Sequence, residues 1–120
     1  MWDELIEVMR KLRSQEGCPW DKEQTHKSLT PFVVEEAYEV IEAIDEEKYD
    51  KLCEELGDLL LQVVFHAQIA GETGKFDIND VILNIIRKLK RRHPHVFGEK
   101  KIETSREVLV EWEKIKLEEK

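Results

Sequence analysis

The sequence has little cysteine and no long apolar run, and both features limit the classes of protein to which it can belong. Cys18 and Cys53 are the two cysteines among 120 residues, and they lie far apart in the chain. Residues 1–5 are acidic and amphipathic, which is not typical of a signal peptide. A reducing cytoplasm is therefore the expected location. No apolar run is long enough to span a membrane, so no membrane association is expected.

Basic residues are too few to balance the acidic ones. The chain has 19 Lys and Arg residues against 27 Asp and Glu, and its formal net charge is −8. This balance argues against a nucleic-acid polymer as the general partner. The sequence also lacks a strand pattern, a glycine-rich phosphate loop, an internal repeat and the His and Cys spacing of a zinc site.

What the sequence does contain is apolar residues at helical spacing, which predict an all-α fold. Because 41% of the residues are hydrophobic and 38% charged, we expect a single domain over residues 1–120 with a modest core. The predicted helices cover residues 2–12, 31–44, 47–70 and about 77–93, and a last helix begins at Thr104 or Ser105. Residues 14–30 are predicted to form an ordered loop or short helix, and residues 94–102 a loop.

Particular residues mark the ends of two predicted helices. Ser28 or Thr30 is expected to cap the second helix, with Pro31 in its first turn. Gly71 and Gly74 are expected to end the third helix. The segment between these two helices is short and polar, which predicts a turn. The two helices should therefore fold back as an antiparallel hairpin, and the fold as a helical bundle around it.

Four acidic residues flank the predicted turn. Glu36 and Glu39 lie three residues apart before it, and Glu55 and Asp58 lie three apart after it. Residues three apart in a helix share a face, so the members of each pair lie together. The two pairs are equally far along the chain from Glu47. We therefore expect the pairs to face each other across the hairpin.

Four clustered carboxylates repel one another unless a cation lies between them. Their oxygens are hard ligands that suit Mg²⁺, with Mn²⁺ as an alternative. The competing interpretation is a solvated acidic helix face, which is what most acidic runs form. Spacing alone leaves both interpretations open. No Ser, His and Asp set is recognisable, so a water molecule activated by metal is the expected nucleophile of an enzyme.

The second hairpin helix is apolar on more than one face. Its main stripe, expected to pack inside the bundle, consists of Leu52, Leu56, Leu59, Leu60, Val63, Val64, Ala67 and Ala70. Leu61 and Phe65 point away from this stripe. A domain of this size can hardly enclose such a helix, so the pattern predicts a homo-oligomer that completes the bundle.

A basic cluster ends the fourth predicted helix and contains Lys88, Arg91 and Arg92. Cations at a helix C-terminus interact favourably with the helix dipole, which is the simpler interpretation. They also suit a polyphosphate. His93 and His95 follow the cluster, and their contact with phosphate is a further hypothesis.

Three other residues have two interpretations each. Trp20 lies in a polar loop and either anchors that loop to the helices or stacks on a planar ligand. His66 lies on the apolar helix and is expected to be packed or hydrogen-bonded rather than a metal ligand. Cys53 lies on the same helix, next to the acidic pair, and has no obvious activating base, so we interpret it as a core residue.

The acidic motif and several other blocks follow one another along nearly the whole chain. They are Cys18-Pro19-Trp20-Asp21-x-x-Gln24-Thr25, Glu35-Glu36-x-x-Glu39, Glu55-x-x-Asp58, Gly57-Asp58-Leu59-Leu60-x-Gln62-Val63-Val64, Lys88-x-x-Arg91-Arg92-His93-Pro94-His95-Val96-Phe97 and Trp112. In this order the blocks resemble the MazG-like, all-α nucleoside triphosphate pyrophosphohydrolases.

The resemblance implies Mg²⁺-dependent hydrolysis of nucleoside triphosphates between the α and β phosphates, which yields a monophosphate and pyrophosphate. It also implies a dimer or a dimer of dimers, and a role in cleaning or controlling the nucleotide pool. Members of this family often contain two such domains in tandem. The chain is therefore expected to be a stand-alone protein or one half of a longer one.

The resemblance also implies roles for individual residues. The residues that resemble the metal ligands are Glu36, Glu39, Glu55 and Asp58, and Glu35 resembles a neighbour of the site that orients water or substrate. The residues that resemble phosphate contacts are Lys88, Arg91 and Arg92. Trp112 resembles a nucleotide contact, and Trp20 is expected to stack on a base.

Two other functions are consistent with the same residues. One is a regulatory module that binds metal or nucleotide without turnover. The other is an all-α phosphohydrolase with a narrow substrate, similar to a dUTPase or to a phosphoribosyl-ATP pyrophosphohydrolase. Pyrophosphate release with pure protein separates the first alternative from an enzyme, and a panel of nucleotides separates the second.

Overall fold

Every regular element of the structure is a helix. The computed structural model describes residues 1–120. Its helices are α1 (Trp2–Leu12), α2 (Pro19–Glu23), α3 (His26–Asp45), α4 (Tyr49–Glu72), α5 (Ile78–Arg92), α6 (Pro94–Phe97) and α7 (Ser105–Glu118). The all-α prediction is therefore confirmed. None of these helices combines the length and the apolar character that crossing a bilayer requires.

The chain divides into two compact units, Met1–Ile78 and Asn79–Lys120. The first unit contains α1 to α4. The second contains α6, α7 and all of α5 beyond its first residue. The expectation of a single domain over the whole chain stays a prediction.

In the first unit, α3 and α4 fold back on each other and make the most extensive contact between helices. They are joined by residues 46–48, where Glu47 takes a left-handed backbone conformation with φ of 55°. The turn thus lies where the sequence predicts it. On another side of α4 lies α1. Met9 of α1 and Leu29 of α3 are fully buried, so the core of this unit lies among these three helices.

The start of α3 differs from the prediction. Thr25 caps the helix, because its hydroxyl accepts a hydrogen bond from the Ser28 amide at 3.0 Å and the Ser28 hydroxyl accepts one from the Thr25 amide at 2.8 Å. Pro31 lies inside the helix rather than in its first turn. A proline there leaves the Lys27 carbonyl without its amide partner. The Thr30 hydroxyl donates to that carbonyl at 2.8 Å, which explains why the helix continues.

Phe65 is buried within the chain, contrary to its predicted place in an interface between subunits. Only 2% of its surface is exposed. Its ring lies 6.5 Å from the Trp20 ring and 5.7 Å from the Arg13 guanidinium. The prediction was wrong because the segment around α2 covers this side of α4. Leu61, from which the homo-oligomer was also predicted, is exposed.

Part of the stripe expected to face inward is instead open on the surface of α4. Its exposed members are Leu56, Leu60 and Val63. Cys53 lies on the same side of the helix and is also exposed, so its interpretation as a core residue was wrong. A second row of exposed apolar residues lies on α3 and consists of Val34, Tyr38 and Ile41. We call these two rows the outer apolar face.

The C-terminal end of α4 lies slightly later than predicted. The helix continues to Glu72, so Gly71 is still helical. Gly74 lies beyond the end and takes the left-handed conformation with φ of 69°, which suits a residue without a side chain. The amide of Lys75 donates to the Ala70 carbonyl at 2.9 Å and closes the end of the helix.

The second unit contains two long helices and a short one. The hydroxyl of Thr104 accepts a hydrogen bond from the Glu107 amide at 3.2 Å and caps α7, at the predicted position. Residues 94–102 were predicted as a loop, but the first four form α6. Pro94 suits the first position of that helix, where an amide N–H has no partner within the helix.

Candidate metal centre

The structure brings four carboxylates together between α3 and α4. One oxygen from each of these side chains lies within 4.8 Å of the others, and the residues are Glu36, Glu39, Glu55 and Asp58. We call this group the carboxylate cluster. The two pairs meet at the same height because each begins at the same distance from the turn and uses the same spacing of three residues. Their role as metal ligands stays a prediction.

Two oxygens of the cluster are buried without a hydrogen-bond partner. They are Oε2 of Glu36 and Oε2 of Glu55. Glu55 is 8% exposed, whereas Asp58 lies at the surface. A buried carboxylate oxygen without a partner loses its hydration and gains nothing in return. The cluster is therefore closed on the side of Glu55 and accessible on the side of Asp58.

The electrostatics of the cluster are those of crowded negative charges. A hydrogen bond with Glu39, burial and the charges of Glu39, Asp58 and Glu36 raise the pKa of Glu55 to about 7. The pKa of Glu36 is also raised, first by burial and then by the charges of Glu39 and Asp58. A cation bound among the four groups would oppose both shifts, because it favours the ionised form.

The donor set fits a hard divalent cation. All four groups offer carboxylate oxygens, which suit Mg²⁺ or Mn²⁺, and no nitrogen or sulfur ligand joins them. Glu35, predicted to orient water or substrate, is exposed and does not belong to the cluster. It lies beside it, and its charge contributes to the raised pKa of Glu36.

An aromatic group lies about one helical turn from the cluster. Phe32 precedes Glu36 by four residues on α3, and its ring meets the Trp20 ring edge-on at 5.6 Å. Trp20 also contacts Phe65, as described above, and about half of its surface, 49%, is exposed. The rings therefore anchor the α2 segment to the hairpin and leave one side of the indole accessible.

A partly buried arginine, Arg13, which no sequence motif marks, holds this segment in place. The Arg13 guanidinium donates from Nε and Nη2 to the two carboxylate oxygens of Glu72 at 2.9 and 2.8 Å. Its Nη1 donates to the carbonyls of Asp21 and Gln24 at 2.7 and 3.0 Å. The hydrogen bond from Arg13 lowers the pKa of Glu72. Arg13 thus fastens the segment that carries Trp20 to the end of α4.

His66 is hydrogen-bonded rather than free, as the sequence suggested. Its Nδ1 lies 2.7 Å from Nδ1 of His26, and the two rings are stacked with 6° between their planes. Burial lowers the pKa of His66, and the charge of His26 lowers it further. One of the two nitrogens must therefore carry the shared proton while the other accepts it.

In the second unit, the structure gathers three of the predicted substrate residues. Nε of Arg91 and Nε of Arg92 donate to the two carboxylate oxygens of Glu119 at 2.8 and 3.2 Å. The Arg92 guanidinium lies 5.5 Å from the centre of the Trp112 ring. Lys88 is exposed. The meeting of this basic cluster with the carboxylate cluster is a relation between the two units, and it stays a prediction.

The two histidines that follow the basic cluster have partners of their own. His93 meets the Trp112 ring edge-on at 5.2 Å, and its Nδ1 lies 2.7 Å from the Leu89 carbonyl. His95 lies 5.5 Å from His93, and its Nδ1 is buried without a partner. Contact of either ring with phosphate stays a hypothesis.

Comparison with known proteins gives consistent matches. The model of the MazG nucleotide pyrophosphohydrolase domain matches residues 24–97. The nucleoside triphosphate pyrophosphohydrolase/pyrophosphatase MazG of Thermotoga maritima is 57% identical over 120 residues, which are 100% of this chain and 46% of that protein. The nucleoside triphosphate pyrophosphohydrolase of Escherichia coli K12 is 56% identical over 119 residues, 98% of this chain and 45% of that protein.

A solved structure is similar along almost the whole chain. The crystal structure of a mazG-related protein from Thermotoga maritima superposes with a TM-score of 0.77 at 29% identity, and the match covers 96% of this chain and 98% of that one. In contrast, the chain spans about half the length of the curated relatives it matches. The structural match thus covers nearly all of both chains, whereas the sequence matches cover only one part of each larger relative.

Proposed function

We propose that this chain, which belongs to the MazG nucleotide pyrophosphohydrolase domain family, hydrolyses nucleoside triphosphates to a monophosphate and pyrophosphate. The observation that carries the proposal is the carboxylate cluster with its two buried oxygens that lack partners. Such a cluster destabilises the protein unless it binds a cation, so its presence favours a function over a solvated acidic face.

The residues that would hold Mg²⁺, or Mn²⁺ in its place, are those of the carboxylate cluster. When bound, the cation offsets negative charge on phosphate oxygens and lowers the pKa of coordinated water. Glu35 lies exposed beside the cluster, and we assign it the orientation of water or substrate. A carboxylate of the cluster accepts the proton of the attacking water.

The proposed substrate contacts are three basic residues of α5 and two tryptophans. Lys88, Arg91 and Arg92 offset charge on the triphosphate, and Trp112 contacts the nucleotide. Support comes from the second unit, in which Glu119 holds both arginines through Nε and leaves their terminal nitrogens for phosphate oxygens. For Trp20, we propose stacking on the base, and the exposed side of its indole supports this role.

We further propose a homo-oligomer, either a dimer or a dimer of dimers, that forms through the outer apolar face. The support is the exposure of its members, which include Leu56 at 49% and Val34 at 71%. Apolar residues clustered on two adjacent helices are typical of a protein interface. We also propose that the protein is cytoplasmic and that it cleans or controls the nucleotide pool.

The experiment that tests the function is a panel of ribonucleoside and deoxyribonucleoside triphosphates incubated with pure protein. It is run with Mg²⁺, with Mn²⁺ and with chelator. Pyrophosphate release that requires the cation supports the proposal. Binding without turnover would instead indicate a regulatory module. Phosphoribosyl-ATP is assayed beside the panel, and turnover confined to it or to dUTP would indicate a narrow-substrate phosphohydrolase.

A further inference from the structure

Gln62 on α4 is a buried polar residue without an evident structural role. It is 7% exposed, and its carboxamide oxygen Oε1 is buried without a hydrogen-bond partner. Most buried polar side-chain atoms in folded proteins have a partner, because burial without one costs free energy. A ligand that brings a hydrogen-bond donor would satisfy this oxygen.

The position of Gln62 relates it to the carboxylate cluster. It follows Asp58 by four residues and is therefore one helical turn further along the same helix. Around the helix axis it falls between Glu55 and Asp58, on the side of α4 that faces α3. Gln62 therefore continues the row of cluster residues away from the turn that joins the two helices.

The positions of Gln62 and the aromatic group in the sequence place them at the same level of the hairpin. Gln62 and Phe32 are equally far along the chain from Glu47, the same relation that brings the acidic pairs to one height. Phe32 in turn contacts the Trp20 ring. From the turn outward, the hairpin thus presents carboxylates first, then Gln62, and then the indole.

This order matches the order of groups in a nucleoside triphosphate. Its phosphates suit the cation site, its base suits the accessible side of Trp20, and its sugar lies between the two. We propose that Gln62 is a substrate-binding residue whose carboxamide oxygen accepts a hydrogen bond from a sugar hydroxyl of the nucleotide. This inference rests on the proposed function and extends it to selection of the sugar.

The test replaces Gln62 by methionine, which has a similar shape and no amide. The substrates are the four ribonucleoside triphosphates and their 2′-deoxy and 2′,3′-dideoxy forms. We expect Gln62→Met to lower kcat/KM about three- to tenfold for nucleotides that carry the contacted hydroxyl, which is typical of a lost neutral hydrogen bond. The loss should disappear with the dideoxy forms, and the 2′-deoxy forms identify which hydroxyl is bound.

Gln68→Met is a matched control on the same helix. The Gln68 amide donates to Glu72 at 3.1 Å and lies outside the proposed nucleotide site. This variant should show the same kcat/KM ratio to wild type with all three sugar forms. The melting temperature of Gln62→Met should be unchanged or higher, because an unpaired buried polar atom is removed.

Equal losses of kcat/KM for Gln62→Met with all three sugar forms would overturn the inference, because a structural effect or a contact to the base does not depend on sugar hydroxyls. Failure of the proposed function gives a different result, since the wild-type protein would then release no pyrophosphate from any nucleotide. The wild-type measurement therefore separates the two failures.

Discussion

Glu39 on α3 and Glu55 on α4 each place a carboxylate oxygen within 4.8 Å of the other across the hairpin, although both groups are acidic. A hydrogen bond between two carboxyl groups requires a proton on one of them, and hydrogen bonding with Glu39 is the largest cause of the raised pKa of Glu55. In the absence of metal, a proton thus offsets part of the negative charge of the cluster, as a bound cation would. Metal binding and proton binding are therefore expected to compete at this site.

This competition predicts how stability depends on pH in the presence of chelator. The pKa of Glu55 rises from 4.5 to about 7 on folding, so between these values the folded state binds a proton that the unfolded state has released. Stability should therefore fall as pH rises from 5 to 8. Melting curves at both values test this, and Glu55→Gln should flatten the dependence. A metal-free melting temperature that rises over this range would contradict the expectation.

The kinetics of Arg91→Ala distinguish a phosphate contact from an ordinary helix end. A lost charged hydrogen bond costs about 1.5–3 kcal/mol, so kcat/KM should fall roughly ten- to a hundredfold. Arg91→Lys should recover part of the loss. The ion pair with Glu119 involves a half-exposed Arg91, so stability should change by about 1 kcal/mol or less. Arg87→Ala, an exposed control on the same helix, should leave the kinetics unchanged; if both variants behave alike, Arg91 has no specific contact.

The ion pair of Arg13 predicts a large effect on stability. The Arg13 side chain is 9% exposed and makes four charged hydrogen bonds, two of them to Glu72. Arg13→Ala should lower the free energy of unfolding by about 2–4 kcal/mol. Arg10→Ala is the matched control, because Arg10 pairs with Glu7 at the surface of α1 and its loss should lower stability far less than Arg13→Ala. If urea unfolding gave equal losses of stability for Arg13→Ala and Arg10→Ala, burial of the Arg13 ion pair would contribute nothing to stability.

The outer apolar face predicts the effect of a charge placed within it. Leu60→Glu should dissociate the proposed oligomer, because an isologous interface through this face would bury one carboxylate from each subunit. Light scattering at micromolar concentration measures this, with Leu61→Glu as a comparison on the next side of α4. A wild-type protein that is monomeric and fully active would contradict the proposed interface.

The carboxylate cluster was predictable because it depends on local rules alone. The spacing of three residues in each pair and the equal distances from Glu47 are sufficient to bring the side chains together once the turn is recognised. The start of α3 was missed because Pro31 normally marks a first turn, whereas here the Thr30 hydroxyl compensates for the missing amide.

Long-range contacts explain what the sequence did not reveal. The burial of Phe65 depends on the α2 segment, and that segment is held by Arg13 and Glu72, which are 59 residues apart in the chain. No local pattern marks such a pair. Gln62 belongs to one of the blocks that resemble the family, but that block does not show that its carboxamide oxygen is buried without a partner, which only coordinates reveal.

The most direct test of the central claim is pyrophosphate release by Glu39→Gln and Asp58→Asn in Mg²⁺, measured beside wild type. Both variants keep the shape of the side chain and remove one charge from the carboxylate cluster. We predict a loss of about a hundredfold or more in kcat, with melting temperatures in chelator equal to or above that of wild type because repulsion is relieved. Glu54→Gln, an exposed neighbour outside the cluster, should retain wild-type activity. Wild-type turnover in either cluster variant would contradict the assignment of these carboxylates to the metal site.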